Sequence, residues 1–154
     1  MKTINNHQIP TTPMPFIVAA FLFHQDKVLL IKHRKSGKWL PVGGHVEEGE
    51  SLHQALEREI REETGLTGCQ FPLPPKTFEE DDDKKREPLP FHVQTKDGET
   101  IIEYAGTTPT KDVKPQESEI TDHQFLTLEE LEASADIPPI VKEKAKLAKE
   151  FLKT

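Results

Sequence analysis

The feature that most constrains the fold is a helix predicted over residues 51–64. Ser51 with Gln54 three residues later forms a capping-box pattern, and Gly65 marks the end of the helix. Successive helical residues lie about 100° apart around the axis. This spacing collects the apolar residues Leu52, Ala55, Leu56 and Ile60 on one side. The segment is therefore expected to pack that side on a core.

Three carboxylates share or border this apolar side. Glu59 and Glu63 fall in the same angular sector as Leu52 and Leu56, and Glu62 lies at its border. An inward carboxylate costs several kcal/mol unless it is paired or coordinated, and acids three and four residues apart also repel one another. A positive charge is therefore expected beside them.

Arg58 is one turn from Glu62, but the helical phase places it mainly on the solvent side. One guanidinium also cannot neutralise three acids. Hard oxygen ligands around a partly open site suit Mg²⁺, which keeps waters and binds phosphates directly. The alternative is an acidic, solvated last turn of the helix, and the inward phase of the acids argues against it.

Strand patterns flank this helix on both sides. Residues 16–23 form a continuous apolar run, residues 28–31 form a second, and together they predict a hairpin. Residues 91–95 and 100–104 flank an Asp-Gly turn, which predicts another hairpin. A glycine-rich loop precedes the helix.

Two further helices are predicted near the end of the chain. Thr127 and Glu130 form a second capping box, which starts a short helix. Residues 140–152 form a lysine-rich amphipathic helix. Its expected core face consists of Ile140, Val141, Ala145, Ala148 and Leu152.

Two segments are predicted to lack regular structure. Residues 1–15 are expected to form an N-terminal arm, and the proline-rich and highly charged residues 72–90 are expected to form a flexible loop. The length of 154 residues fits one domain, so residues 1–154 are interpreted as a single domain.

The composition excludes several classes of partner. With 20 basic and 27 acidic residues, the formal charge of −7 repels DNA, and a phosphate-bearing ligand would need a bridging divalent cation. The single cysteine, Cys69, excludes an intramolecular disulfide and a cysteine-based zinc cluster. Apolar runs are too short for a membrane span. These features predict a cytoplasmic protein with no membrane partner.

The residues around the predicted helix resemble the signature of the Nudix (MutT-like) hydrolases, G-x5-E-x7-R-E-U-x-E-E-x-G-U, where U is aliphatic. Every position agrees, and a chance match is on the order of one in ten million. The matching residues are Gly44, Glu50, Arg58, Glu59, Ile60, Glu62, Glu63, Gly65 and Leu66. The resemblance implies an α/β/α sandwich with a mixed sheet.

The resemblance also implies roles for the signature residues. Glu59, Glu62 and Glu63 would bind Mg²⁺, with Mn²⁺ as an alternative ion, and one of them or another carboxylate would help to deprotonate the attacking water. Arg58 would hold Glu59 in place. Glu50 would support the loop and the helix through polar contacts.

Other residues receive roles from their position relative to the signature. Gly43 and Gly44 would let the backbone turn tightly and approach the substrate phosphates. His45 is a candidate substrate contact. A late acid before the final core strand is also implied, with Glu119 as the leading candidate and Glu117 as the second.

The implied reaction is attack of water on a phosphorus atom of a small nucleoside-diphosphate-linked substrate. One alternative is a non-catalytic nucleotide-binding or regulatory module, against which the intact acids argue. An isomerase or an RNA-decapping enzyme is disfavoured by the complete signature and the acidic charge, respectively. The substrate itself stays open, because it depends on residues outside the signature. Homodimers are common among similar proteins, but no sequence feature indicates the oligomeric state of this chain.

Overall fold

The computed structural model describes residues 15–82 and 84–154. The arm predicted at residues 1–15 therefore lies, except for its last residue, outside the described residues. In chain order the elements are β1 (Phe16–His24), β2 (Lys27–His33), β3 (Trp39–Leu40), β4 (Val42–His45), α1 (Leu52–Thr64), β5 (His92–Lys96), β6 (Glu99–Thr107), β7 (Ile120–Leu126), α2 (Leu128–Ala133) and α3 (Pro139–Leu152).

The strands form one mixed sheet, in which β1 runs parallel to β6 and the remaining pairs are antiparallel. On its other side β1 pairs twice. Residues 17–20 pair with β4, whereas only Phe23 and His24 pair with β2. Strand β2 continues to β3 and β7. Because β4 and β2 pair with different parts of β1, the sheet splits between them. A cleft opens at this split.

Helices cover both faces of the sheet. Successive side chains of a strand point to opposite faces, so Val18 and Leu22 pack with α1, whereas Phe21 and Phe23 pack with α2 and α3. Leu56 is fully buried on the α1 face, and burial of one such side chain contributes about 1.5–3 kcal/mol. The predicted α/β/α sandwich with a mixed sheet is confirmed.

The predicted helix boundaries agree with the structure. The Ser51 hydroxyl accepts from the Gln54 backbone N–H at 3.1 Å, and Gly65 ends α1 in the left-handed region at φ 74°. Thr127 and Glu130 form the second capping box. These caps satisfy backbone groups that would otherwise lack partners at the helix ends.

The prediction that Ile140 belongs to the core face of α3 is wrong. Ile140 is 53% exposed, while Val141, Ala145 and Ala148 are buried. The buried residues are four and three positions apart and share one side of the helix, whereas Ile140 lies about 100° away from Val141 around the axis. Leu152 is partly buried against the same core.

The segment 72–90 has no helix or strand among its described residues, which exclude residue 83. The Leu89 N–H donates to the Pro72 carbonyl at 2.9 Å and joins the two ends. A carboxylate oxygen of Glu87 accepts from the His53 backbone N–H at 2.9 Å, so the segment also contacts the first turn of α1. Its flexibility stays a prediction. No helix in the described part of the chain is long and apolar enough to cross a bilayer.

Candidate active site

Arg58 organises the acidic side of α1. Its Nε lies 2.7 Å from Glu50, and its Nη1 lies 2.7 Å from Glu59 and 3.2 Å from Glu62. Its Nη2 donates to the His45 carbonyl at 2.9 Å, which ties α1 to the end of β4. The prediction that Arg58 lies mainly on the solvent side is wrong, since its side chain is only 16% exposed. The long side chain folds back across the helix toward the acids.

The guanidinium and Glu50 form a charge-assisted pair with two hydrogen bonds. The pair lowers the pKa of Glu50, which the Glu47 backbone N–H also stabilises at 2.9 Å, and it raises the pKa of Arg58. Glu50 therefore connects the loop before α1 to the helix. The supporting role of Glu50 stays a prediction.

Glu63 is the most deeply buried acid of the cluster, at 3% exposure. Its Oε1 accepts from the Gly43 N–H at 2.9 Å, and its Oε2 lies 4.0 Å from Nε2 of His33. Burial raises the pKa of Glu63, the Gly43 hydrogen bond lowers it, and the negative charges of Glu59, Glu119 and Glu62 raise it, with a net value of about 8. One backbone dipole does not compensate a carboxylate in this position.

Glu59 lies beside Gly44. The tight turn predicted at Gly43 and Gly44 is wrong, because both glycines are in strand β4 and pair with β1. Burial raises its pKa, the hydrogen bond and charge of Arg58 lower it, and Glu62 and Glu119 raise it again. A Cβ on Gly44 would come within 2.5 Å of the Glu59 carboxyl group. Only glycine therefore fits at this position without displacing the carboxylate.

Glu62 and Glu119 form the more open side of the cluster. The Glu62 side chain is 50% exposed, which agrees with its border position on the helical wheel and shows that it is not buried with the other two acids. Glu119 is exposed immediately before β7, and its carbonyl accepts from the Arg34 N–H at 2.8 Å. Its charge acts on both Glu59 and Glu63, which places the predicted late acid at the cluster. The Arg34 side chain donates to the Glu117 carbonyl at 2.7 Å, so this second candidate contributes a backbone group here.

The donor set fits a hard divalent cation. Across residues 15–82 and 84–154, no three acidic, histidine or cysteine side chains surround one point in ligand geometry. Two of the acids instead point at Arg58. The cluster nevertheless holds four carboxylates and one nearby guanidinium, and the buried Glu63 lacks a charged partner within bonding distance. Oxygen donors with this deficit of positive charge are the ligands that Mg²⁺ and Mn²⁺ accept.

A cleft of about 310 Å³ lies at the split between β4 and β2. Gly43, Gly44 and His33 line the end nearest the acids, and Glu103 and Lys144 line the wall formed by β6 and α3. Most of the remaining lining residues are apolar, including Ile17, Phe21, Leu40, Pro41 and Val141. An apolar cleft with a few polar groups is the usual form of a small-molecule site.

The His45 side chain pairs with Glu99, outside the acidic cluster. Its Nε2 is 2.6 Å from a Glu99 carboxylate oxygen, and the side chain is 65% exposed. Its substrate role stays a prediction, whereas its carbonyl has an identified partner in Arg58. Trp39 is 7% exposed in the core on the α3 face, as expected of a packing residue.

A family model described as the NUDIX domain matches residues 14–151. The chain belongs to the Nudix family. A crystal structure of a Nudix-family hydrolase from Clostridium perfringens resembles this Nudix domain with a TM-score of 0.76 and 28% sequence identity, covering 92% of this chain and 99% of that chain.

Curated relatives match shorter parts of their own sequences. The human 8-oxo-dGDP phosphatase NUDT18 is 45% identical over 53 residues, which are 32% of this chain and 16% of that protein. The NAD-capped RNA hydrolase NudC of Vibrio atlanticus is 29% identical over 131 residues, which are 82% of this chain and 40% of that protein. This Nudix domain thus spans less than half the length of these relatives.

Two features of the site were missed by the sequence predictions. His33 is the last residue of β2 and carries no local motif, so its place beside Glu63 depends on the pairing of distant strands. Glu103 did give a signal, because it is a lone acid within the apolar run Ile101 to Ala105. An acid at a strand position that faces a core indicates a partner or a ligand.

Proposed function

We propose that this Nudix domain hydrolyses a phosphoanhydride bond in a small nucleoside-diphosphate-linked molecule, with Mg²⁺ as the preferred ion and Mn²⁺ as a substitute. The observation that carries the proposal is the buried Glu63, which accepts one backbone N–H, at 2.9 Å, from Gly43 at the edge of the cleft and has the carboxylates of Glu59, Glu62 and Glu119 near it. Burying such a group without a cation is costly, and catalytic sites often retain this kind of deficit.

Glu59, Glu62 and Glu63 would hold the ion, and Glu119 would approach it from the loop before β7. The bound ion would offset charge on the phosphate oxygens and favour the ionised form of a coordinated water. Arg58 would keep Glu59 and Glu62 oriented through the contacts of 2.7 Å and 3.2 Å. A Cβ on Gly43 would meet the Val18 carbonyl oxygen and a Cβ on Gly44 the Glu59 carboxyl group, so the two glycines would let β4 lie close to β1 and to Glu59. Their contact with the substrate phosphates stays a prediction.

In the proposed reaction the oxygen of water forms a bond to one phosphorus atom, and the bridging P–O bond breaks. The water proton passes to a carboxylate of the cluster, and the leaving phosphate departs with the bridging oxygen. An exposed acid such as Glu119 can exchange that proton with solvent after the reaction.

The activities for which two relatives are named support the substrate class. One relative is named for 8-oxo-dGDP and the other for NAD-capped RNA, and both names describe a nucleotide with a phosphoanhydride bond. The formal charge of −7 favours the small molecule over RNA for this chain.

The test is hydrolysis of a panel of nucleoside diphosphates, nucleotide sugars, ADP-ribose and dinucleoside polyphosphates by wild type and Glu62→Gln. Since Glu62 is 50% exposed, glutamine should fold normally, yet we expect about 100-fold or greater loss of activity. Glu57→Gln is the matched control, because Glu57 lies on the same helix with 61% exposure and pairs with His53. Full activity of Glu62→Gln, or a wild type that cleaves nothing in the panel with either ion, would refute the proposal.

A further inference from the structure

The wall of the cleft holds a buried charged group that the proposed reaction does not use. Glu103, at the middle of β6, is 3% exposed. Its Oε1 lies 3.0 Å from Nζ of Lys144 on α3 and 2.7 Å from Nδ1 of His92 on β5. Glu103 and Lys144 both line the cleft that begins at Gly43 and Gly44.

The second oxygen of this carboxylate is available. The ion-pair distances from Glu103 to His92 and Lys144 are both to Oε1, and within the described residues the one hydrogen bond of its side chain also uses Oε1, with His92. Oε2 is not among the buried polar atoms that lack a partner, so it keeps contact with solvent, where a ligand group can replace water. Because Glu103 lines the cleft, Oε2 is accessible to a molecule bound there.

The surroundings favour a planar, mostly apolar group at this position. The cleft measures about 310 Å³ and its walls include Ile17, Phe21 and Leu40. Small-molecule pockets have volumes of about 300–1,000 Å³ and combine apolar walls with a few polar groups that fix orientation. Here the polar groups are one carboxylate oxygen, which accepts, and one ammonium, which donates.

We propose that Glu103 and Lys144 determine base specificity by binding a ring N–H and the carbonyl oxygen next to it, as guanine and uracil present them. Oε2 of Glu103 accepts from the ring N–H, and Nζ of Lys144 donates to the carbonyl oxygen. A ring N–H next to a carbonyl carbon is more acidic than the exocyclic amine of adenine or cytosine, so it is the stronger donor to a carboxylate. The proposal rests on the proposed function, because it assigns the nucleoside end of the same substrate.

A purely structural role would have a different signature. The pair also joins α3 to β6, so substitutions could lower stability or weaken every ligand equally. A recognition role instead changes the ratio of affinities between bases. Both affinities in this ratio are measured with the same variant, so a smaller folded fraction affects both equally and leaves the ratio unchanged.

The experiment measures binding of the α,β-methylene diphosphates of guanosine, uridine, adenosine and cytidine by calorimetry with Mg²⁺ present. The carbon bridge prevents hydrolysis, so the readout is independent of turnover. Methylenediphosphonate alone is the probe without a base. We expect the wild type to bind the guanosine and uridine analogues about tenfold more tightly than the other two, the effect of one charge-assisted hydrogen bond.

In Glu103→Gln and Lys144→Met we expect that preference to fall to about twofold or less, with methylenediphosphonate bound as in wild type. Lys146→Met is the matched control, since Lys146 lies on the same helix and pairs with Glu132 at the same 3.0 Å but is 53% exposed. It removes the same charge outside the cleft and should leave the preference unchanged.

Two outcomes separate this inference from the proposed function. An active enzyme whose base preference is the same in wild type and Glu103→Gln, or which prefers adenine and cytosine, would overturn the inference alone. The other outcome is a wild type that hydrolyses no diphosphate but shows a base preference that Glu103→Gln lacks. This outcome would overturn the proposed reaction and support the recognition role.

Discussion

Glu63 and Glu103 are equally buried, at 3% exposure each, but they have opposite electrostatic surroundings. Glu103 has an ammonium at 3.0 Å and an imidazole at 2.7 Å. Glu63 has one backbone N–H at 2.9 Å, an imidazole at 4.0 Å and three other carboxylates acting on it. One acid therefore has its cation within the protein, and the other does not.

The difference separates two uses of a buried acid. A carboxylate with a built-in cation contributes to the structure and can still offer a free oxygen for recognition. A carboxylate without one has a raised pKa and gains most from an ion supplied from outside. The end of the cleft lined by Gly43 and Gly44 thus suits a divalent cation. The end lined by Glu103 of β6 suits a neutral, hydrogen-bonding group.

The largest expected effect concerns the pH dependence of stability without metal. The pKa of Glu63 is about 8 in the folded state against an ordinary 4.5, so folding favours its protonated form. Its contribution is fully present below about pH 4.5 and is lost as pH rises toward about 8, by at most about 1.4 kcal/mol per pH unit. Unfolding by urea in EDTA from pH 5 to 8 should show this loss.

Glu63→Gln removes the titrating group and should flatten that pH dependence. Addition of Mg²⁺ to the wild type should restore stability more at pH 8 than at pH 6, because the ion prefers the ionised carboxylate. An equally steep pH dependence in wild type and Glu63→Gln would show that Glu63 is not the uncompensated acid.

A smaller effect is expected at the compensated acid. Lys144→Met leaves Glu103 buried with only His92 beside it. Removal of one partner of a buried pair costs about 3–5 kcal/mol of unfolding free energy. The expected cost is smaller here because the Lys144 side chain is 15% exposed. Chemical denaturation of this variant should show a loss of about 2–3 kcal/mol. Lys146→Met breaks an exposed pair and should cost less than about 1 kcal/mol. Equal losses in the two variants would contradict the contrast between the sites.

Much of the fold could be predicted from local patterns. Continuous apolar runs, the Asp-Gly turn and the two capping boxes act over a few residues, so they predicted both hairpins and the start of α1 and α2. Helical phase also placed Glu59 and Glu63 inward. Phase follows only the Cα positions, however, and could not show that Arg58 reaches back across the helix to 2.7 Å from Glu59.

The cleft could not be predicted, because it depends on strands that are distant in sequence. His33 meets Glu63 only when β2 and β4 diverge along β1, and Lys144 meets Glu103 only when α3 packs on β6. Periodicity predicts which side of an element is buried, not which element covers it.

The most direct measurement of the central claim is calorimetric titration of Mg²⁺ into the protein at pH 7, in two buffers with different ionisation heats. If Glu63 is protonated without metal and ionised with it, Mg²⁺ binding should release close to one proton in wild type and almost none in Glu63→Gln, which should also bind the ion more weakly. Mg²⁺ affinity and proton release that are the same in both proteins would contradict the account.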